Sequence, residues 1–183
     1  MKLIILDRDG VINEDTNDYI RSPSDWIPIP DSLEAISLLC KHGYTIAVFT
    51  NQSGVGRGFF SERVLHDIHA LMCTEVIKRG GHIDKIVYCP HLPTDECQCR
   101  KPNPGMLHQL MVEYNLSSLR DVIVVGDRIT DLEAASRACK HVHRLYLVKT
   151  GKGIESLVKN DFRDTDVIIA ENLMDVARRI VND

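Results

Sequence analysis

Two carboxylates one residue apart follow the first apolar run of the chain. Leu3–Leu6 has the composition of a buried strand, and the DRDG motif at residues 7–10 comes directly after it. Such a pair is costly, because the carboxylates of Asp7 and Asp9 repel each other and neither can hide its charge in an apolar core. A protein keeps the pair when a hard cation binds there, or when one carboxylate is a nucleophile and the other carries a proton.

Three further segments contain groups that bind phosphate or add acids. TNQSG at residues 50–54 offers a hydroxyl and successive backbone N–H groups, RKP at 100–102 offers positive charge, and GDRITD at 126–131 adds two carboxylates. If these segments meet, four acids share one small volume: Asp7, Asp9, Asp127 and Asp131. Without a divalent cation, burial would force protonation on some of them, whereas Mg²⁺ would turn the crowding into a coordination shell.

A second metal site is indicated by cysteine and histidine at short spacing. The four residues lie in the segment 89–105, which we call the Cys/His loop: Cys89, His91, Cys97 and Cys99. Two closely spaced ligand pairs suit tetrahedral Zn²⁺, and four protein ligands leave no open position, so we expect a structural zinc. In the reducing compartment that we expect for this chain, the cluster is a metal candidate rather than a disulfide framework.

Strand and helix patterns alternate along the chain and would position these groups. Repeated strand–helix units of this length predict an α/β fold, with a Rossmann-like parallel sheet and helices on both faces. Ligands of such folds bind outside the carboxyl ends of the strands, where every motif above falls. Thr130 with Glu133 also fits the capping box of a helix. The apolar runs that predict strands are Leu3–Leu6, Thr45–Phe49, Ile83–Tyr88, Val122–Val125, Arg144–Val148 and Val167–Ile169.

Composition limits the class of protein. With 183 residues, 44% hydrophobic and 26% charged, the chain suits one globular domain over residues 1–183. The net charge of −4 and the absence of a basic stretch argue against a nucleic-acid partner. No apolar run has membrane-spanning length and no signal-peptide pattern opens the chain, so we expect a cytoplasmic protein without a membrane partner.

The four motifs, in this order, resemble those of the haloacid-dehalogenase superfamily of phosphatases. The resemblance covers nearly the whole chain and implies a haloacid-dehalogenase-like fold with no large cap domain and a zinc-binding loop insertion. Within the superfamily, TNQSGVGRG and CRKPNPGM resemble the heptose bisphosphate phosphatases, while the loop CPHLPTDECQCRKP would also suit the sister histidinol-phosphate phosphatases. The heptose resemblance implies removal of the 7-phosphate of a heptose 1,7-bisphosphate, in the synthesis of ADP- or GDP-heptose and of lipopolysaccharide core or other surface glycans.

The resemblance also implies roles for individual residues. Asp7 would be the nucleophile that forms an aspartyl phosphate, Asp9 the proton donor and acceptor, and Thr50 and Lys101 would stabilise the transferring phosphoryl group. Mg²⁺ would be held by the Asp7 carboxylate, the Asp9 backbone carbonyl and Asp127, with Asp131 outside, orienting a bound water or Lys101. The expected partner is a small phosphorylated sugar and the expected state a monomer. Contacts to the substrate are expected from Asp15, Tyr19, Asn51, Gln52, Ser53, Arg57, Arg100 and Arg128, with Arg57 as a candidate for the second phosphate.

Three alternatives remain open at this point. A histidinol-phosphate phosphatase of histidine biosynthesis would share most of the pattern. A phosphoacceptor signalling domain also combines acids, Thr or Ser and Lys on a parallel sheet, but it needs neither a second carboxylate two residues beyond its acceptor nor a zinc loop. A zinc-bearing nucleic-acid module, or a phosphatase of nucleic-acid ends, would be expected to show a basic face.

Overall fold

A computed structural model describes residues 1–139, 142–163 and 165–183 of the chain. In that part of the chain, six strands form one sheet. The strands are β1 (Leu3–Leu6), β2 (Thr45–Asn51), β3 (Lys85–Cys89), β4 (Leu119–Gly126), β5 (Val142–Val148) and β6 (Val167–Ala170). The helices are α1 (Ser32–Lys41), α2 (Ser53–Gly56), α3 (Glu62–Lys78), α4 (Gly105–Glu113), α5 (Ile129–Ala138), α6 (Gly153–Lys159) and α7 (Leu173–Asn182).

The sheet confirms the predicted α/β architecture. All neighbouring strands pair in parallel, in the order β3-β2-β1-β4-β5-β6. The order reverses between β1 and β4, which pair directly with Leu6 opposite Val125. At such a reversal the loops after the two strands leave toward opposite sides, which opens a crevice at their carboxyl ends.

Two apolar cores lie on the two faces of the sheet. In β1, Ile4 and Leu6 pack on one face while Leu3 and Ile5 pack on the other. Buried side chains of α1, α3 and α7 cover the first face, and those of α4 and α5 cover the second. Because both faces of the sheet are buried, the central parts of the strands are hydrophobic, and apolar runs in the sequence therefore predict them. None of the helices within the described residues has the length and apolar character needed to span a membrane.

Local details differ from the sequence-based prediction. Strand β3 begins at Lys85 rather than Ile83, because the side chain of Asp84 accepts a hydrogen bond from Ile46 N at 2.7 Å and occupies the first pairing position. Helix α5 begins at Ile129, so the capping box predicted for Thr130 and Glu133 is wrong. The helices α2 and α6 were not predicted.

Candidate active site

The DRDG turn places both of its acids at the β1–β4 crevice. Gly10 has a φ of +83° and packs on the carboxylate of Asp127, where an added Cβ would lie 2.2 Å from Oδ2. Gly151 closes the other side, and a Cβ there would lie 2.3 Å from the same oxygen. Both positions therefore require glycine, because a side chain would collide with the carboxylate and Gly10 also adopts a left-handed conformation.

Three carboxylates converge in the crevice. Oxygens of Asp7, Asp127 and Asp131 lie within 4.8 Å of one another, and all three side chains are buried. Burial, reinforced by repulsion from the neighbouring acids, raises the pKa of Asp7 to about 7 and that of Asp127 to about 8. Such a cluster is stable in its ionised form only with compensating positive charge.

One oxygen of this cluster favours a metal ion. Asp127 Oδ2 accepts a hydrogen bond from Lys152 N at 2.7 Å, but among the described residues the buried Oδ1 has no hydrogen-bond partner. A buried carboxylate oxygen without a donor is costly unless a cation binds it. Oxygen ligands at this spacing fit Mg²⁺, which takes one or two carboxylates and keeps water and phosphate oxygens in its other positions.

Lys101 supplies positive charge from within the protein. Its ammonium lies 2.8 Å from Asp7 Oδ1 and 2.7 Å from Asp131 Oδ1, and it also donates to the carbonyl of Phe49 at 3.1 Å. Burial opposes the charge, but the two carboxylates outweigh it and raise the pKa of Lys101. The lysine is therefore charged at neutral pH and is aimed at the carboxylate predicted to be the nucleophile.

Asp131 has two functions in this arrangement. Its Oδ2 accepts from the backbone amide of Arg128 at 2.9 Å, which caps the first turn of α5, and its Oδ1 contacts Lys101. The predicted orienting role of Asp131 toward Lys101 therefore has the contact that it requires. The side chain that caps the first turn of α5 therefore belongs to Asp131 and not to Thr130, which was predicted to cap the helix. Asp131 also contacts Lys101.

The TNQSG segment divides into parts with different surroundings. Thr50 is buried at the carboxyl end of β2 and accepts from Gln52 Nε2 at 2.9 Å. Gln52 also donates to Asp9 at 2.8 Å, and Asn51 bonds the backbone of Lys101. The side-chain amides of Asn51 and Gln52, which were predicted as substrate contacts, therefore form hydrogen bonds with other residues of the site.

Asp9 lies in a hydrogen-bond network that was not predicted from the sequence. Arg8 donates to both oxygens of Asp9 at 3.0 Å and lies 3.2 Å from the ring Nε2 of the buried His69. Burial opposes ionisation of Asp9, but Arg8 and the amides of Asn13 and Gln52 outweigh it and lower the pKa of Asp9. Burial and the Arg8 charge lower the pKa of His69 to about 3, so this histidine is neutral.

A pocket of about 630 Å³ opens above these groups. Seven of the eight predicted substrate contacts line it, together with Thr50: Asp15, Tyr19, Asn51, Gln52, Ser53, Arg100 and Arg128. Asp15 and Arg128 form an ion pair at 2.8 Å across the rim. Arg57 is exposed and does not line this pocket, so the structure does not bring it to the site.

The pocket has two cations that the sequence did not single out. Lys152 and Lys159 lie at the start and end of α6, and Lys152 donates to Asn17 at 3.1 Å across the pocket rim. A lysine in a short amphipathic stretch has no signal that separates it from a solvated surface charge. Only the position of α6 beside the β1–β4 crevice brings these lysines to the site.

The Cys/His loop brings its four predicted ligands together. Sulfur and nitrogen atoms of Cys89, His91, Cys97 and Cys99 lie 3.1–3.5 Å apart in five of their six pairs. The edges of a tetrahedron around Zn²⁺ with thiolate ligands are about 3.5–3.8 Å, so the cluster has the size of a zinc site. Burial raises the pKa of the Cys97 thiol, but the backbone amide of Arg100 and the neighbouring thiols outweigh it and lower that pKa to about 7.

The loop is tied to the catalytic crevice through its last residues. Arg100 donates to the carbonyl of His91 at 3.3 Å, and Asn103 donates to the carbonyl of Cys97 at 2.8 Å. Lys101 follows the last ligand, Cys99, by two residues. A metal bound to the four ligands would therefore fix the backbone from which the Lys101 side chain projects.

Comparisons with known proteins agree with this site. The sequence model of the family described as polynucleotide kinase 3 phosphatase matches residues 2–176. The chain is 52% identical over 158 residues to a D-glycero-beta-D-manno-heptose-1,7-bisphosphate 7-phosphatase of Pseudomonas aeruginosa, with 86% of each chain covered. It is 45% identical over 181 residues to the protein of the same name from Pseudomonas putida, covering 99% of this chain and all of that one.

A solved structure has the same fold over the whole chain. The D,D-heptose 1,7-bisphosphate phosphatase of B. bronchiseptica, crystallised with magnesium and phosphate, superposes with a TM-score of 0.93 at 41% identity, covering 100% of this chain and 99% of that one. The conclusion follows from these matches and the geometry above. The chain belongs to the haloacid-dehalogenase-type phosphatases that the family model covers, and among them to the D-glycero-D-manno-heptose-1,7-bisphosphate 7-phosphatases.

Proposed function

We propose that this protein is a Mg²⁺-dependent phosphatase that hydrolyses the 7-phosphate of D-glycero-D-manno-heptose 1,7-bisphosphate. One observation carries the chemistry: the carboxylate of the buried Asp7 lies 2.8 Å from the Lys101 ammonium and near Asp127, whose Oδ1 accepts no hydrogen bond from the described residues. The substrate comes from the relatives, whose names specify this sugar bisphosphate. The product would be used to make nucleotide-activated heptose for lipopolysaccharide core or related surface glycans. The enzyme would act as a monomer in the cytoplasm.

The reaction proceeds in two displacements. Asp9 is ionised in the free protein, and the negative charge of the bound phosphate beside it favours its protonated form. A carboxylate oxygen of Asp7 attacks phosphorus, and the bond from phosphorus to the O7 oxygen of the sugar breaks as protonated Asp9 gives that oxygen its proton. Water then attacks the aspartyl phosphate while Asp9 accepts its proton, which releases phosphate and restores Asp7. The Lys101 ammonium and the Thr50 hydroxyl stabilise the charge of the transferring group in both displacements.

The metal would be held by the carboxylates of Asp7 and Asp127 and by the backbone carbonyl of Asp9. When bound, Mg²⁺ supplies charge screening between the attacking carboxylate and the phosphate oxygens. Asp131 stays outside the shell and keeps Lys101 in place. In the Cys/His loop, four ligand atoms complete a tetrahedron, so Zn²⁺ would be structural there.

The second phosphate of the substrate fits the cationic rim of the pocket. Arg100, Arg128, Lys152 and Lys159 line the pocket that contains the Asp7 carboxylate. Guanidinium and ammonium groups are the usual ligands of a phosphate that does not react. Arg57, which does not line the pocket, has no part in this proposal.

Two other substrates would use the same chemistry. Histidinol phosphate has a single phosphate, so it would leave Arg100 and Lys152, which form no ion pair within the described residues, without an anionic partner. Arg128 and Lys159 already pair with Asp15 and Glu155. A nucleic-acid end is implied by the description of the matching family model. It would need a basic track for the strand, whereas Asp15 and Glu155 lie on the rim and the chain has a net charge of −4.

The test is a comparison of kcat/KM for three phosphate monoesters, with and without Mg²⁺. We expect heptose 1,7-bisphosphate to be preferred over histidinol phosphate and over a 3′-phosphorylated oligonucleotide, and activity to require Mg²⁺. Asp7→Asn should lower kcat by at least about 10³-fold, because several kcal/mol of transition-state stabilisation depend on the nucleophile. A preference for either competitor, or near wild-type turnover of Asp7→Asn, would reject the assignment.

A further inference from the structure

The carboxylate of Asp9 is held by four hydrogen bonds. Oδ1 accepts from Arg8 Nε at 3.0 Å and from Asn13 Nδ2 at 2.9 Å, and Oδ2 accepts from Arg8 Nη2 at 3.0 Å and from Gln52 Nε2 at 2.8 Å. Arg8 is the one charged donor of this group and the one that bonds both oxygens. A bidentate guanidinium fixes the plane of a carboxylate, which a single donor cannot do.

Arg8 itself is buried, and His69 contacts its guanidinium on the side away from Asp9. Its side chain is 1% exposed, and its Nη1 lies 3.2 Å from the Nε2 of His69, which projects from α3 and is also buried. Because a guanidinium has no acceptor, the histidine nitrogen must be the acceptor of this bond. The Arg8 guanidinium, which we call the fork, therefore faces Asp9 on one side and is positioned by a neutral histidine on the other.

This cluster has no role in the function proposed above. The burial of an arginine costs free energy that a surface salt bridge would not, so its retention next to a proton-transfer group calls for an explanation. The side chain of Asp9 remains 24% exposed toward the pocket, whereas that of Arg8 does not reach the substrate space with any comparable area. Arg8 borders the pocket and its backbone amide donates to Asp7 Oδ1 at 2.7 Å, but its buried guanidinium contacts the carboxylate of Asp9 and can act on the reaction through that group.

We propose that Arg8, held by His69, is a positioning residue that fixes the Asp9 carboxylate for proton transfer to and from the reacting oxygens. This inference rests on the proposed function, because it needs Asp9 as the proton carrier. The fork sets the direction of the Asp9 oxygens, and Asn13 and Gln52 complete the arrangement. Loss of the fork would leave the nucleophile and Lys101 in place but misdirect the proton donor.

The experiment compares two leaving groups. The oxygen of a sugar needs a proton as it departs, whereas nitrophenolate leaves without one, so only the sugar ester depends on Asp9 in the first displacement. We would measure kcat/KM, which reports that displacement, for heptose bisphosphate and for p-nitrophenyl phosphate in Arg8→Met and Arg8→Lys. We expect the ratio of sugar ester to aryl ester to fall by about tenfold or more in both variants, since a lysine keeps the charge but not the fork.

His69→Leu provides a second variant, for the case in which the loss of Arg8 prevents folding. It removes the acceptor behind the fork and should lower the same ratio, whereas His69→Gln, which keeps a polar acceptor, should restore part of it. Arg79→Met is the matched control, because Arg79 is exposed and paired with Glu34 at 3.1 Å, outside the pocket lining. Its ratio should equal that of the wild type.

The role of Asp9 is tested separately from that of Arg8. Asp9→Asn should lower the ratio by itself, and adding Arg8→Lys to Asp9→Asn should lower it no further. If Asp9→Asn leaves the ratio unchanged, the proposed function of Asp9 fails. If Asp9→Asn lowers the ratio while Arg8→Lys and His69→Leu reduce both substrates equally, Arg8 has a structural role only and the positioning proposal is overturned.

Discussion

The side-chain amide of Asn51 bonds the backbone of Lys101 in both directions. Asn51 Nδ2 donates to the carbonyl of Lys101 at 3.2 Å, and Asn51 Oδ1 accepts from the amide of the same residue at 3.1 Å. This pair of bonds joins the end of β2 to the end of the Cys/His loop. It holds the Lys101 backbone at the place from which the ammonium reaches Asp7 at 2.8 Å. Asn51 therefore has a contact that would place the lysine, while its contact to the substrate stays a prediction.

We expect Asn51→Ala to lower kcat by about tenfold to a hundredfold, because a small displacement of Lys101 weakens the stabilisation of the transferring phosphoryl group. KM for the sugar bisphosphate should change much less. Steady-state kinetics on the purified variant would check both values, with Asn182→Ala at the exposed end of α7 as the control. A rise in KM with unchanged kcat would instead assign Asn51 to substrate binding.

Lys152→Met should raise KM for heptose 1,7-bisphosphate by about tenfold to a hundredfold, because a charge-assisted contact to the second phosphate contributes roughly 1.5–3 kcal/mol. KM for p-nitrophenyl phosphate, which has a single phosphate, should stay near the wild-type value. Lys149→Met is the control, since Lys149 pairs with Glu171 and does not line the pocket. Equal effects of Lys152→Met on both substrates would place the lysine elsewhere in the mechanism.

Cys97→Ser should remove zinc from the Cys/His loop and lower kcat by about tenfold or more, because Lys101 and Arg100 then lose the support of the loop. Metal analysis of the purified protein gives the zinc content and steady-state kinetics give kcat. Cys73→Ser is the control, since Cys73 lies on α3 outside the cluster. Full activity in demonstrably zinc-free Cys97→Ser would separate the loop from catalysis.

Stabilisation by Mg²⁺ should increase with pH. Burial raises the pKa of Asp7 to about 7 and that of Asp127 to about 8, above the ordinary value of 3.8 that applies to the unfolded chain. In the metal-free protein, the stability that these protonated groups contribute is complete below pH 3.8 and is lost as the pH rises through 7 to 8. Mg²⁺ binds the ionised carboxylates, so it offsets this loss above those values and must displace protons below them.

The measurement is the rise in Tm on adding Mg²⁺, taken at pH of about 6 and about 8.5 on dialysed protein without a chelator, so that the Cys/His loop is left intact. We expect the larger rise at the higher pH. The buried His69, whose pKa is lowered to about 3, also makes stability depend on pH, but it does so equally with and without Mg²⁺ and cancels in the difference. An Asp127→Asn variant should lose most of the effect. A rise that is independent of pH would contradict the binding of Mg²⁺ by these carboxylates.

The sheet was predictable in detail because parallel strands buried on both faces are continuous apolar runs. Strand β1 was predicted residue for residue at Leu3–Leu6, and β2 was predicted from its first residue, Thr45. The ends were less accurate where polar side chains replace backbone partners, as Asp84 does before β3. Short helices such as α2 have too few turns for a periodic pattern and were missed.

The site shows the same division between local and distant information. The acids, the lysine and the zinc ligands were identified in the sequence because each belongs to a short motif whose residue types state their chemistry. His69, Lys152 and Lys159 belong to no such motif, and only the packing of α3 and α6 brings them to the crevice. Arg57 has a suitable side chain close to a motif in the sequence, but the loop that carries it leads away from the pocket.

The class of chemistry could be predicted from the residues alone, since paired carboxylates, a turn with a hydroxyl and successive backbone amides, and a set of three cysteines and one histidine each have recognisable residue types and spacings. Folding then brings some polar side chains to the pocket and leaves others bonded to one another, as Asn51 bonds the backbone of Lys101 and Arg8 bonds Asp9. The physical reason is that hydrogen bonds and ion pairs act over a few ångströms in space. Residues such as Arg8 and His69, separated by 61 positions in the chain, come within that range only after the sheet and its helices have packed.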